Sequence, residues 1–226
     1  MKTLAIIPAY NERDSILQTV SELTAVAPWV DYVIVNDGSS DGTCEICKKA
    51  HCNMIDLPIN VGLSAGFQTR MKYALRKGYD CALQFDADGQ HQAQYISAMV
   101  SEMESTGADI VIGSRFVTEK KHASARMTGS ALISTIIRLT TGKKINDPTS
   151  GMRLYGKDLI ERFSTESDFG PEPDTIAYLM RHGSKVAEVQ VSMRDRTAGE
   201  SYLSFTKSIK YMLRTCISIL FIQWFR

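Results

Sequence analysis

Two aspartates separated by one residue, Asp86 and Asp88, end an apolar run that begins at Leu83. If that run is an extended strand, alternate side chains point the same way and the two carboxylates emerge side by side. Like charges at that spacing repel, and the arrangement holds when a positive group stands between them. A hard divalent cation with oxygen ligands, shared with a bound diphosphate, meets that need. The competing reading is an acidic turn that caps the next helix, since Asp-Gly is ordinary turn chemistry.

The elements around this pair set the context. Residues 3–8 read as a buried strand ended by Pro8, and apolar residues at helical spacing follow over 13–26. A second strand covers 32–35, and Asp41 is placed to cap a helix over 42–50. Then come a strand at 54–57, a helix over 63–77 closed by Gly78, a strand at 81–85, a helix over 93–105 and a strand at 110–112. This alternation predicts an α/β fold, a mostly parallel sheet with helices on both faces and right-handed crossovers. Parallel sheets bind ligands at the carboxyl ends of their strands. Polar residues collect at those ends: Asn11 and Glu12, then Asp37, Asn60, the Asp86/Asp88 pair, and Gly113-Ser114-Arg115. One converging site is the expectation. The second half is less regular. It offers a basic loop over 117–127, a helix over 130–139, a tight turn at 147–151 leading into residues 152–155, a helix over 175–181 and a strand over 185–193.

Composition bounds the class. The chain has 226 residues, 44% of them hydrophobic and 23% charged, which suits one folded domain rather than disorder. Its 26 basic residues nearly balance 25 acidic ones, so no global charge invites nucleic acid. Met1-Lys2-Thr3 runs directly into the first strand, and the expectation is a cytoplasmic protein. The five cysteines are odd in number, and Cys44, Cys47 and Cys52 read as reduced thiols rather than a zinc site.

The ordered set Pro8-Ala9-Tyr10-Asn11-Glu12, Asn36-Asp37-Gly38-Ser39-Ser40-Asp41-Gly42-Thr43, Asn60-x-Gly62, Asp86-x-Asp88-x-Gln90-His91, Gly113-Ser114-Arg115 and Asp147-Pro148-Thr149-Ser150-Gly151-x-Arg153 resembles family 2 glycosyltransferases of the GT-A fold. The branch it is most similar to is the dolichol- or polyprenyl-phosphate sugar synthases, and the resemblance spans residues 3–205. It implies that Pro8, Ala9, Tyr10, Glu12 and Asp37 hold the nucleobase and ribose, with Asn60 beside them. Asp86 would orient the nucleotide and metal, Asp88 would ligate Mg²⁺ or Mn²⁺, and Gln90 would stand near the diphosphate. Arg115 and Arg153 would be cations for phosphate oxygens. Arg196 and Ser201, in Arg196-Thr197-Ala198-Gly199-Glu200-Ser201, resemble a loop that folds over the donor phosphates. Two of these have plain structural alternatives: Arg153 could pair with a carboxylate, and Gln90 could cap a helix.

The implied reaction is inverting transfer of a hexose from a UDP- or GDP-sugar to polyprenyl phosphate or a lipid-linked glycan, in cell-envelope polysaccharide synthesis. Transfer to a sugar hydroxyl needs a base, and Glu172 is the candidate, with Asp174 behind it. The alternative for both is acidic residues favouring a helix that Pro173 opens. A reading from another class is a catalytically inactive nucleotide-sugar-binding subunit. Residues 206–226 read as a separate amphipathic helix, basic and aromatic, lying on a membrane surface at its inner face or packed on protein. Synthases of this kind often carry transmembrane helices after the catalytic domain, so a small membrane-protein partner or a homo-oligomer is also expected.

Overall fold

The computed structural model describes residues 1–119, 125–166, 168–195 and 205–222. In chain order the elements are β1 (Thr3–Ala9), α1 (Ile16–Val26), β2 (Asp31–Asp37), α2 (Thr43–Lys49), β3 (Met54–Leu57), α3 (Gly62–Arg76), β4 (Cys81–Gln84), α4 (Ile96–Thr106), β5 (Ile110–Ser114), α5 (Ala125–Thr141), β6 (Arg153–Gly156), α6 (Lys157–Thr165), α7 (Pro173–Arg181), β7 (Val186–Gln190) and α8 (Phe205–Leu220). A short 3₁₀ turn, Ala93–Tyr95, leads into α4.

The strands form one seven-stranded sheet in the order β3-β2-β1-β4-β6-β5-β7. Pairing is parallel throughout except at β6, which runs antiparallel to both β4 and β5. The spatial order reverses direction at β1 and β4, and a crevice opens at such a switch point beyond the carboxyl ends of the strands. The expected sheet and its two helical layers are present, and β6 is the antiparallel insert that period alone did not distinguish.

The period-2 alternation of β1 builds both layers at once. Leu4 and Ile6 enter a core with Val33, Val35, Phe67, Met71, Ile133, Phe163, Ile176 and Ile219. Ala5 and Ile7 face the other way, onto Ile16, Val20, Leu23, Ile34, Leu83, Met99 and Met103. Thus α1, α2 and α4 cover one face, while α3 and α5 to α8 cover the other. With both faces covered, the central strands are apolar on both sides.

A run of edge-on and tilted rings crosses the second layer: Phe67 to Tyr155 at 5.6 Å, Tyr155 to Phe163 at 5.4 Å, and Phe163 to Phe169 at 5.3 Å. These contacts join α3, β6 and α6 to the segment that carries residues 169–172. Phe163 is fully buried at the centre of the run. Replacing it with alanine is expected to cost about 3–5 kcal/mol, measured as a drop in the urea midpoint of unfolding.

Candidate functional site

The first strand end is a clasp between two turns. Asn11 adopts a left-handed backbone, φ 59°, which asparagine tolerates better than most side chains. Its N–H donates to Ser39 Oγ and its Oδ1 accepts from Ser40 N–H, both at 2.9 Å. Glu12 N–H donates to Thr43 Oγ1, and Glu12 Oε2 accepts from Ser15 Oγ. The expected N-cap at Asp41 is corrected: Gly42 is the N-cap of α2, and Asp41, one residue before it, accepts the Thr43 N–H at 2.9 Å. Ala9 is buried beneath this clasp, whereas the Tyr10 ring is exposed and presents a face for stacking.

Asp37 ends β2 and accepts the Val61 N–H through Oδ1 at 2.8 Å. The loop it holds comes very close: a Cβ on Gly38 would stand 2.5 Å from the Asn60 nitrogen. Gly38 also has φ +67°, so both space and backbone demand glycine there. Asn60 Oδ1 turns back to accept the Gly62 N–H at the start of α3.

The Asp86/Asp88 pair is not on a strand. β4 stops at Gln84, and residues 87–89 form a turn. The expectation of two carboxylates aligned by strand pleat is therefore corrected, and the turn turns each to its own partner. Asp86 Oδ1 accepts from Gln84 Nε2 at 3.2 Å, while Oδ2 lies 3.6 Å from His91 Nε2. The Asp86 N–H donates to His91 Nδ1 at 2.9 Å, which leaves the ring proton on Nε2, facing that carboxylate. Asp88 is buried and accepts the Gln90 N–H through Oδ1 at 3.1 Å. Gln90 is strapped to the exit of β7: Arg194 N–H donates to its carbonyl, and its Nε2 reaches the Arg194 carbonyl at 3.4 Å. A Cβ on Gly151 would lie 2.7 Å from Asp86 Oδ2, so the turn at 147–151 closes directly on this carboxylate.

Two of the expected phosphate cations have other work. Arg153 is 2% exposed, and its guanidinium donates to the carbonyls of Ser150, Pro148 and Pro171 at 2.7–2.8 Å. It pins the turn at 148–151 to the loop preceding α7, and it is neither a free phosphate cation nor paired with a carboxylate as the alternative reading had it. Arg115 makes a two-pronged pair with the fully buried Asp147, Nε to Oδ2 at 2.7 Å and Nη2 to Oδ1 at 2.9 Å. Its guanidinium is partly exposed and paired with this carboxylate, so any phosphate would meet a cation already engaged.

Glu172 stands at the entrance to α7 before Pro173, and its side chain makes no capping hydrogen bond to that helix. Tyr211 of α8 lies within electrostatic reach: burial first, then the Glu172 carboxylate, pushes its phenol up to about 12. Asp174, the second candidate base, is a structural residue. It is buried, and its Oδ2 accepts from Ser218 Oγ at 2.7 Å, tying α7 to α8. Arg196 and Ser201 lie outside the described residues. Among the described residues, no group of three or more His, Cys, Asp and Glu side chains is arranged to hold a metal ion. The cysteines are free thiols, as expected.

The clasp at β1, the Asp37 turn and the buried Asp88 turn lie at the carboxyl ends of β1, β2 and β4, three neighbouring strands. A family model described as glycosyl transferase family 2 matches residues 4–163. The chain belongs to glycosyl transferase family 2. Relatives include the polyprenol monophosphomannose synthase of Mycolicibacterium smegmatis, 29% identical over 216 residues, covering 90% of this chain and 81% of that protein. The undecaprenyl-phosphate mannosyltransferase of Micrococcus luteus is also 29% identical, over 90% of this chain and 88% of its own. Among solved structures, glucosyl-3-phosphoglycerate synthase from Mycobacterium tuberculosis superimposes with a TM-score of 0.72 at 14% identity, over 97% of this chain and 78% of that one. Mannosyltransferase PcManGT from Pyrobaculum calidifontis gives a TM-score of 0.64 at 15% identity, over 89% of this chain and 58% of that one. The fold of this glycosyltransferase is of the GT-A type.

Sequence reasoning missed three residues of this candidate site. His91 was quoted within its pattern without a task, yet it braces Asp86 from two sides. The Gln84 amide donates to Asp86, and its Oε1 is buried without a partner. Arg70 is buried in α3, close enough to Asp37 and Asp86 to feel both carboxylates. Its signal was available: it falls on the apolar stripe Phe67, Met71, Ala74, where a cation is out of place.

Removing the Arg153 guanidinium leaves buried carbonyls unmatched. Arg153→Gln is expected to lower stability by about 3 kcal/mol while leaving the donor KM of the folded fraction near wild type, checked by chemical denaturation and donor titration. Gly151→Ala is expected to push Asp86 aside. A displacement near 1 Å costs about a hundredfold in rate, read as kcat/KM for sugar transfer against an unchanged circular dichroism spectrum.

Proposed function

We propose that this chain transfers a hexose from a UDP- or GDP-sugar to polyprenyl phosphate, with inversion, at a membrane surface. The observation that carries the reading is the gathering of Tyr10, Asp37, Asp86 and Asp88 at adjacent strand ends. Support for the acceptor comes from the relatives, whose names specify polyprenol or undecaprenyl phosphate. Support for a divalent ion comes from the solved neighbours, crystallised with Mn²⁺ and GDP-mannose or UDP-glucose.

The donor set fits Mg²⁺ or Mn²⁺. Asp88 accepts the Gln90 N–H through Oδ1, and such ions are commonly held by one or two carboxylates, with diphosphate oxygens and water completing the shell. Such an ion would neutralise charge on the departing diphosphate. The protein's own part is positional. Tyr10 and Asp37 hold the base end, Asp86 is fixed by His91 and Gln84 to meet the ribose, and Asp88 marks the diphosphate end. Arg196 and Ser201 would close over the phosphates. A lipid phosphate is already ionised near neutrality and needs steering rather than deprotonation before it attacks the anomeric carbon in line.

Support for a membrane site comes from α5 and α8, which pack together; a Cβ on Gly129 of α5 would overlap Met212 of α8. Their outward faces expose Leu132, Leu139, Leu213, Ile217 and Phe221 alongside Arg138, Lys210 and Arg214. Neither helix contains an acidic residue. An apolar face edged with cations suits an anionic bilayer surface. Among the described residues, no helix is long and apolar enough to cross a membrane.

The place of Glu172, on the loop that Arg153 ties to the turn at 148–151 beside Asp86, favours a second reading, transfer to a sugar hydroxyl with this carboxylate as base. Glu172→Gln separates the two: rate falls about a hundredfold or more if a hydroxyl is deprotonated and stays within a few-fold for a phosphate acceptor. Asp88→Ala is expected to reduce transfer by about a hundredfold to a thousandfold with either acceptor. Retention of Mn²⁺-dependent transfer by Asp88→Ala, assayed with radiolabelled donor, would remove the basis of the proposal.

A further inference from the structure

A threonine in mid-helix commonly turns its hydroxyl back to a carbonyl of the preceding turn. Thr24 of α1 does so, donating to the Val20 carbonyl at 2.9 Å. Thr19, on the same helix, does not. It is buried, and its Oγ1 donates across to the Ala87 carbonyl at 2.9 Å, on the residue just before Asp88. Ala87 is buried too, where an unmatched carbonyl is costly.

Glu22 stands one turn further along, and residues three apart on a helix share a face. Its Oε2 accepts from Arg194 Nη1 at 2.6 Å. Arg194 in turn donates its N–H to the Gln90 carbonyl, and the Gln90 N–H donates to Asp88 Oδ1, both at 3.1 Å. Ser192 fixes the same segment two residues earlier. Its carbonyl and Oγ accept from Gln92 Nε2 at 2.8 and 3.0 Å, and its Oγ meets the Tyr95 hydroxyl at 2.8 Å. The acidic turn is thus gripped just before Asp88 by Thr19, and two residues after it through Arg194. Both grips originate on α1.

We propose that Thr19 and Glu22 are positioning residues for Asp88, holding its turn on α1 so that the fold sets the direction of the carboxylate. The inference rests on Asp88 being a metal carboxylate, as above, and adds the helix that orients it. Groups that hold a metal ligand in place without touching the ion change metal affinity by about tenfold to a hundredfold. Thr19 is the stronger of the two because its bond is buried. The Glu22–Arg194 pair is open to water, with side chains 25% and 47% exposed, and is weakened accordingly.

The test is calorimetric titration of Mn²⁺ into the full chain with UDP and, separately, with GDP present. Each nucleotide is also titrated alone, with chelator and no metal. Thr19→Val keeps the shape of the side chain and removes its donor. It is expected to weaken Mn²⁺ about tenfold or more while metal-free nucleotide affinity stays at the wild-type value. Thr19→Ser restores the hydroxyl and is expected to recover most of the loss. Glu22→Gln is expected to weaken Mn²⁺ about two- to fivefold. Wild-type Mn²⁺ affinity in Thr19→Val, or equal losses of metal and metal-free nucleotide binding, would show packing alone and overturn the inference. Should Thr19→Val fail to fold, wild-type Mn²⁺ affinity in Glu22→Gln overturns it instead. Asp88→Ala separates the two levels. Loss of Mn²⁺ there, with none in Thr19→Val, defeats only the positioning role. Unchanged Mn²⁺ affinity in Asp88→Ala, or no Mn²⁺ binding by wild type, defeats the metal reading and the inference together.

Discussion

Carboxylates gathered at one end of a buried sheet repel one another unless positive charge stands among them, and this site is arranged around that constraint. Asp37, Asp86 and Asp88 end two neighbours of β1. The protein answers part of the repulsion with Arg70, buried where its field reaches Asp37 and Asp86. It answers another part with hydrogen bonds from Val61, Gln84 and Gln90. Under the proposed function, a cation that arrives with the diphosphate would add to this balance at Asp88.

Close backbone approach makes that balance geometrically possible. Gly38 lets the 59–61 loop press onto the end of β2, and Gly151 lets the 147–151 turn touch Asp86. Arg153 then locks the turn to the segment carrying Glu172 by donating to main-chain carbonyls from both. An arginine suits this because its planar fork serves several acceptors at fixed angles. The pair Arg115–Asp147 fixes the other end of the same turn. At these two positions, arginines that the family resemblance offers as phosphate cations also frame the turn beside Asp86.

The helix α8 connects the site to the outer surface. Its inner side meets α5 at Gly129 and α7 at Asp174, and Tyr211 stands near Glu172. Its outer side remains apolar and basic. A contact made on that outer face would therefore bear on a helix whose inner side also stands near Glu172.

The sequence by itself determined the alternating strands and helices, the two covered faces and the strand ends where polar residues collect. Those features follow from period and turn chemistry, which are local. It also held the family pattern, because ordered short motifs survive without knowledge of contacts. The tertiary structure decided which charges were available. Arg153 and Arg115 look the same in a sequence as any exposed arginine, and only the fold brought carbonyls from Pro148 and Pro171, or the buried Asp147, within their reach. Likewise only packing placed Arg70, from the middle of a helix, beside carboxylates that precede and follow it in the chain by more than a dozen residues. Charge is read from a residue's letter, but what the charge can do depends on neighbours that the chain supplies from far away.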